Sequence, residues 1–155
     1  MVKVLFVCLG NICRSPMAEF VFKDIVKKHG RGKDFVIASA ATSGEEAGSP
    51  VHIGTKRKLA QFGIDCSGKR AVKLEKCDYG KYDYIIGMEQ RNCWAILRIV
   101  GSDKDKKVFR LCDFTDCPRD IADPWYTHNF DVTYDDIYEG CMAFYEFICK
   151  KHFET

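Results

Sequence analysis

Two periods of apolar residues alternate along the chain. Val2 and the run Val4-Leu5-Phe6-Val7 predict a strand buried on both faces. Met17, Phe20, Val21 and Ile25 follow at helical spacing. Asp34-Phe35-Val36-Ile37-Ala38 predicts a second strand, and the small, polar stretch from Ser39 to Pro50 a loop. A helix over Thr55 to Phe62 is closed by Gly63. Tyr84-Ile85-Ile86-Gly87-Met88 predicts a third strand, Arg91 to Val100 a helix, and Lys107 to Leu111 a fourth strand. From Cys112 to Val132 the chain carries two prolines and several Asp, the composition of a long loop. That length exceeds ordinary structureless connections and marks the segment as functional. Ile137, Cys141, Phe144 and Ile148 then outline a last amphipathic helix. Alternation of strand and helix implies one α/β domain over residues 1–155: a doubly wound, four-stranded parallel sheet flanked by helices.

The join between the first strand and the first helix reads Cys8-Leu9-Gly10-Asn11-Ile12-Cys13-Arg14-Ser15-Pro16. Ser15 followed by Pro16 is a helix-start signal, with Ser as cap and Pro at the first helical position. A loop that leaves a strand and enters a helix presents free N–H groups and the positive end of the helix dipole to an anion. Gly10 and Asn11 are the residues best able to take positive φ, so the amides of Leu9 to Arg14 can turn inward as a phosphate-binding nest. Arg14 offers a planar fork that matches two phosphate oxygens. The same positive groups favour the thiolate of Cys8, a nucleophile set beneath the bound phosphorus. A Walker A loop is excluded, since no Lys lies between Lys3 and Lys23, and a dinucleotide fingerprint is excluded by the single Gly. The bland alternative makes Cys8 and Cys13 small packing residues of a βα turn.

Phosphate ester hydrolysis also needs an acid for the leaving oxygen and a base for water, and one carboxyl group can serve as both in turn. Asp123-Pro124-Trp125-Tyr126 in the long loop is the candidate. Partial burial by the aromatic rings would help Asp123 hold its proton. Asp-Pro is equally the signature of a turn. Asp113, Asp116 and Asp120 read as turn or surface residues.

Composition narrows the field. With 155 residues the chain can bury a core without staples, and a net charge of +2 with dispersed lysines argues against a nucleic-acid partner. Nine cysteines without a signal peptide point to a reducing, cytoplasmic setting rather than a disulfide framework. The pairs Cys8/Cys13 and Cys112/Cys117 lack zinc-knuckle spacing, so neither metal nor cofactor is expected. No apolar stretch approaches the ~20 residues of a membrane span.

The run from Val7 to Glu19 resembles the signature of the low-molecular-weight protein tyrosine phosphatases. The likeness returns at Ser39, Phe62-Gly63-Ile64-Asp65, Tyr82 to Met88, and Asp123 to Tyr126, in order along nearly the whole chain. It implies hydrolysis of phosphotyrosine and small aryl phosphates by a monomer, without metal, through a cysteinyl-phosphate, with inhibition by phosphate-like oxyanions. Cys8 would attack, Arg14 and the loop amides from Leu9 to Cys13 would hold the phosphoryl oxygens, and Asp123 would be the general acid. Asn11, Ser15 and Ser39 would support the loop and the thiolate. Cys13 would form a reversible disulfide with Cys8 under oxidation. Leu9, Ile12, Trp125 and Tyr126 would wall the aryl ring, and bulky Ile12 favours phosphotyrosine over the phosphoarginine of a related branch. Three departures stand out. Glu45, beside Glu46, replaces a common aromatic wall residue. Lys69 replaces a common His in the network around the loop Asn and cannot accept a hydrogen bond there, and Ala40 replaces a common Gly. Two other functions fit part of the pattern: an arsenate reductase using Cys77 and Cys93 as shuttle thiols, and a non-catalytic phosphate or phosphotyrosine-binding module.

Overall fold

The computed structural model describes residues 1–154. Strand β1 (Val2–Cys8) leads through the loop into helix α1 (Arg14–Lys28). Strand β2 (Phe35–Ala41), helix α2 (Ile53–Ala60) and the short α3 (Asp78–Lys81) precede β3 (Tyr84–Gly87). Helix α4 (Gln90–Val100), strand β4 (Val108–Arg110), short α5 (Pro124–Thr127) and the long α6 (Phe130–His152) complete the chain. All four strands are parallel, in the order β2-β1-β3-β4. No described helix is long and apolar enough to cross a membrane.

Central β1 explains its unbroken apolar run. Val4 and Phe6 face α1 and α6, where Phe6, Phe22 and Phe144 pack ring against ring at 5.3–6.2 Å. Leu5 and Val7 face the opposite side, against Ile85, Ile96 and Val100. Deep burial of these side chains stabilises each by roughly 1.5–3 kcal/mol, which sets the strand rigidly in the core. Helix α6 comes close to the segment after β4 because Gly140 has no Cβ; one built there would lie 2.6 Å from Leu111 Cγ.

The structure corrects several boundaries. Ser39 belongs to β2 rather than to a loop, with Phe6 as its partner across the strand pair, and Asp34 lies in a 3₁₀ turn before the strand. Small, polar Ser39 and Ala40 resemble loop residues, yet the sheet supplies their pairing. Ala40 keeps regular register opposite Val7, so its missing glycine distorts nothing. Helix α2 starts and stops two residues earlier than its periodicity predicts, and Gly63 takes a left-handed φ of 71° in the turn that follows. The long loop is not structureless: a 3₁₀ turn (Leu111–Phe114), α5 and the start of α6 occupy much of it.

The sheet order turns about β1. The chain leaves β1 toward β2 on one side and returns to β3 on the other, so the connections after β1 and β3 diverge and open a crevice. Cys8 ends β1 at that crevice, with Val7 paired to Gly87 beside it.

Candidate active site

Three donors converge on the Cys8 sulfur. The backbone N–H of Asn11 lies 3.3 Å from Sγ, that of Ser15 lies 3.4 Å away, and the Ser15 hydroxyl lies 3.0 Å away. The turn that aims the Asn11 amide requires a left-handed φ of 56° at Asn11, which Asn tolerates better than most residues. Ser15 does not cap α1. The helix starts at Arg14, Cys13 occupies the cap position without a side-chain bond, and the Ser15 hydroxyl is committed to Cys8 and Asn11 instead.

A buried chain of hydrogen bonds orients that hydroxyl. The Glu19 carboxylate can only accept, so Ser39 Oγ donates to it at 2.6 Å. Ser39 Oγ therefore accepts from Asn11 Nδ2 at 2.9 Å. The second Asn11 N–H donates to Ser15 Oγ at 2.8 Å, while Asn11 Oδ1 accepts from the Val72 amide at 3.1 Å. Ser15 must then point its own proton onward, and Cys8 Sγ at 3.0 Å is nearer than the Ala40 carbonyl at 3.4 Å. Directionality along this chain lets the Ser15 hydroxyl donate to the sulfur. Lys69 closes the far end. It donates to the Ser39 carbonyl at 2.8 Å and stands 3.8 Å from Glu19. The doubt raised by its inability to accept is removed, because the network needs a donor and a positive charge there. Burial pushes the Lys69 pKa down and Glu19 offsets part of that.

Arg14 is 1 % exposed. Its Nη1 donates to the Ile121 carbonyl at 2.9 Å, and Nη2 faces Glu89 at 3.2 Å and Asp123 at 3.3 Å. Asp123 serves two ends at once. Oδ1 caps α5 by accepting from the Trp125 amide at 3.0 Å, with Pro124 at the first helical position, and Oδ2 faces Arg14. The turn reading and the acid reading therefore describe two oxygens of one group. The expected shielding by aromatic rings is not found: Trp125 is 51 % and Tyr126 73 % exposed, and the group against Asp123 is the guanidinium. Asp113 and Asp120 pair with Arg110, and Asp116 is exposed.

These groups surround a cavity of about 180 Å³. Cys8, Cys13 and Arg14 form part of its lining, together with Gly10 and the side of Ile12. Leu9, Glu45, Trp125, Tyr126 and Asp123 complete it, together with Ser43 and Glu46. Burial pushes the Cys13 thiol up to about 12, and the neighbouring Cys8 adds to the effect. Cys77 is exposed, and Cys93 is buried against Gly87 with its thiol pushed up to about 11; neither lines the cavity. No cluster of three or more metal-ligating side chains occurs among the described residues.

Sequence reasoning missed three participants. Glu19 ends the signature run without a predicted role, and it and Glu89 touch the site through partners 20 and 75 residues away. His52 joins two walls of the site. Its amide donates to the Ile12 carbonyl at 2.8 Å, and its ring meets Trp125 edge-on at 5.7 Å and stacks on Phe130 at 5.4 Å. Gly54 admits Phe130 to this stack, since a Cβ there would lie 2.3 Å from the ring.

A cysteine ringed by donors, an arginine fork and an aspartate in one cavity suit phosphoryl transfer to sulfur. A family model described as low molecular weight phosphotyrosine protein phosphatase matches residues 3–153. The chain belongs to this family. Among its relatives, the low molecular weight protein-tyrosine-phosphatase YfkJ of Bacillus subtilis is 38% identical over 143 residues, covering 91% of this chain and 92% of YfkJ. The enzyme named PtpA from Staphylococcus aureus is 35% identical over 151 residues, covering 97% and 96% of the two chains. The crystal structure of YfkJ superposes with a TM-score of 0.94 at 37% identity, covering 98% of this chain and 97% of YfkJ. The low-molecular-weight phosphatase fold is thus the α/β fold described above, and the protein is a phosphatase.

Proposed function

We propose that this phosphatase hydrolyses phosphotyrosine in proteins, and small aryl phosphates, in two steps through Cys8. The observation that carries the reading is the convergence of three donors on Cys8 Sγ, 3.0–3.4 Å away, in a cavity shared with Arg14 and Asp123. The substrate phosphate takes the place of the Asp123 carboxylate on Arg14, and the amides from Leu9 to Arg14 receive its remaining oxygens. Sulfur attacks phosphorus, the P–O bond to the phenol breaks, and Asp123 in its acid form passes its proton to the departing oxygen. Water then attacks the cysteinyl-phosphate. Asp123 takes the water proton, the S–P bond breaks with its electrons returning to sulfur, and inorganic phosphate leaves. Fixed dipoles and one buried guanidinium stabilise the charge that spreads over the equatorial oxygens in both steps.

Leu9, Ile12, Trp125 and Tyr126 flank the aryl ring, with Glu45 at the rim. Asn11, Ser15 and Ser39 hold the loop in shape. Under oxidation Cys8 and Cys13, which line the same cavity, close a disulfide that protects the nucleophile. All the side chains in this scheme come from one chain, so a monomer suffices.

The test is hydrolysis of p-nitrophenyl phosphate and of phosphotyrosine with EDTA present. Wild type should turn over both, and Cys8→Ser should turn over neither. Asp123→Ala should lose about 10²–10⁴ in kcat on phosphotyrosine, whose leaving group needs a proton, and much less on p-nitrophenyl phosphate. Activity that survives Cys8→Ser, or is lost to EDTA, would overturn the scheme.

A further inference from the structure

A second cavity, of about 570 Å³, opens on the other side of Ile12 from the catalytic one. Ile12 and Glu46 line both, so these two residues separate them. The Ile12 carbonyl is tied to the His52 amide at 2.8 Å, which holds that partition in place.

The two cavities carry opposite charge. Around the catalytic one, the carboxylates of Glu45, Glu46 and Asp123 face a single cation, Arg14. Around the second, Lys56, Lys69 and Arg70 face a single carboxylate, Glu46. Lys69 is spent inward on Ser39 and Glu19, and Glu46 accepts from the Ser49 hydroxyl at 3.0 Å. Lys56 and Arg70 are exposed and form no salt bridge among the described residues. The guanidinium of Arg70 has only a long contact, 3.5 Å, to the Gly48 carbonyl. Two exposed cations thus stand in a cavity that shares Ile12 with the phosphate loop. Asp65 lies near enough to Lys56 for their charges to interact. Arg70 pairs with no carboxylate among the described residues and has a donor to offer an acidic side chain.

We propose that this cavity is a carboxylate subsite: it receives a Glu or Asp side chain one or two residues from the phosphotyrosine of a protein substrate. The proposal rests on the phosphotyrosine reading above and adds its sequence preference. Neighbouring residues of an extended peptide lie about 3.8 Å apart at Cα, so an acid one or two residues away serves an adjoining cavity that shares Ile12 and Glu46 with the catalytic one. Glu45 lines the catalytic cavity but not this one, so a basic residue that reaches Glu45 is favoured there. The rim therefore selects by polarity along the peptide, and the acidic Glu45-Glu46 pair does not exclude all acidic substrates.

The experiment measures kcat/KM for phosphotyrosine peptides that carry Glu, Ala or Lys in turn at each of the two positions on either side. Each value is divided by that for p-nitrophenyl phosphate. In the wild type, Glu should beat Ala by about three- to tenfold at one or more positions, the product of two partly exposed ion pairs. The preference should shrink as salt rises. In the double variant Lys56→Glu/Arg70→Glu it should vanish or reverse in favour of Lys. Both positions are exposed, so folding is retained, and a melting curve beside the wild type checks it. Equal turnover of all peptides, or a Glu preference unchanged in the double variant, overturns the subsite alone. Turnover of p-nitrophenyl phosphate with none of any phosphotyrosine peptide overturns the protein-substrate reading and the subsite with it.

Discussion

Replacing Ser39 by Ala tests the buried chain behind the nucleophile without touching Cys8. Ser39 is 1 % exposed, and its hydroxyl donates to Glu19 at 2.6 Å while accepting from Asn11 at 2.9 Å. The first of these bonds ends on a charge, and such bonds are worth about 1.5–3 kcal/mol. Glu19 retains Lys23 and Lys69, which places the loss at the lower end of that range. The freed Asn11 N–H, buried and unpartnered, costs about 1 kcal/mol more. A total of about 2.5 kcal/mol corresponds to a fall in Tm of about 5–10 °C for a chain of this size. Asn11 loses one of three anchors and with it the direction it imposes on the Ser15 proton, so kcat should fall about tenfold while KM changes little. Thermal melts with and without phosphate, and steady-state kinetics on p-nitrophenyl phosphate, read both effects. Phosphate should still raise the Tm, because Arg14 and the loop amides remain. A Tm within about 2 °C of wild type, with kcat within about twofold, would refute the directional chain.

Stability should fall as pH climbs past the ordinary thiol value of 9.0, because burial holds Cys13 at about 12 and Cys93 and Cys112 at about 11. The folded chain keeps protons that the unfolded chain sheds, at about 1 kcal/mol per site near pH 10, and urea melts at about pH 8 and pH 10 measure the slope. Iodoacetamide at neutral pH should modify Cys8 and the exposed Cys77 and Cys117 but spare Cys13, Cys93, Cys112 and Cys141, with phosphate protecting Cys8 alone. Peptide mass mapping decides that, and rapid labelling of Cys13 would contradict its burial. His52→Ala removes the ring between Trp125 and Phe130 but keeps the amide bound to Ile12. It should raise KM for aryl phosphates about two- to tenfold, the worth of one aromatic pair, and leave kcat within about twofold; an unchanged KM would release Trp125 from its assigned place.

The parts of the site that could be read in the sequence are those whose chemistry is local. Cys8, Gly10, Asn11 and Arg14 sit within one turn, and their residue types alone describe an anion nest beside a thiol. Strand β1 was equally readable, because a core on both faces demands an unbroken apolar run. Ser39 was misplaced because strand membership depends on a neighbouring strand, here β1, which no local pattern records. Ser15 before Pro16 predicts a cap, because that is the meaning of Ser before Pro on average. Its hydroxyl is drawn away by Asn11 and Cys8, which only the folded loop brings within reach. Glu89 and Glu19 left no local mark, since an acidic residue on a helix or at its edge reads as solvated surface until the fold buries a partner against it.

The order of strands in the sheet also bears on when during synthesis the thiol comes under control. The nucleophile is made first, yet Asp123 follows 109 residues after Arg14, the residue it faces. Helix α6, whose Phe144 packs on Phe22 of α1, follows later still. A nascent chain thus presents Cys8 at the end of β1 before the acid and the last helix layer exist. A chain that stops before Asp123 lacks the carboxyl group that faces Arg14, and one that stops before α6 lacks the ring that packs on Phe22.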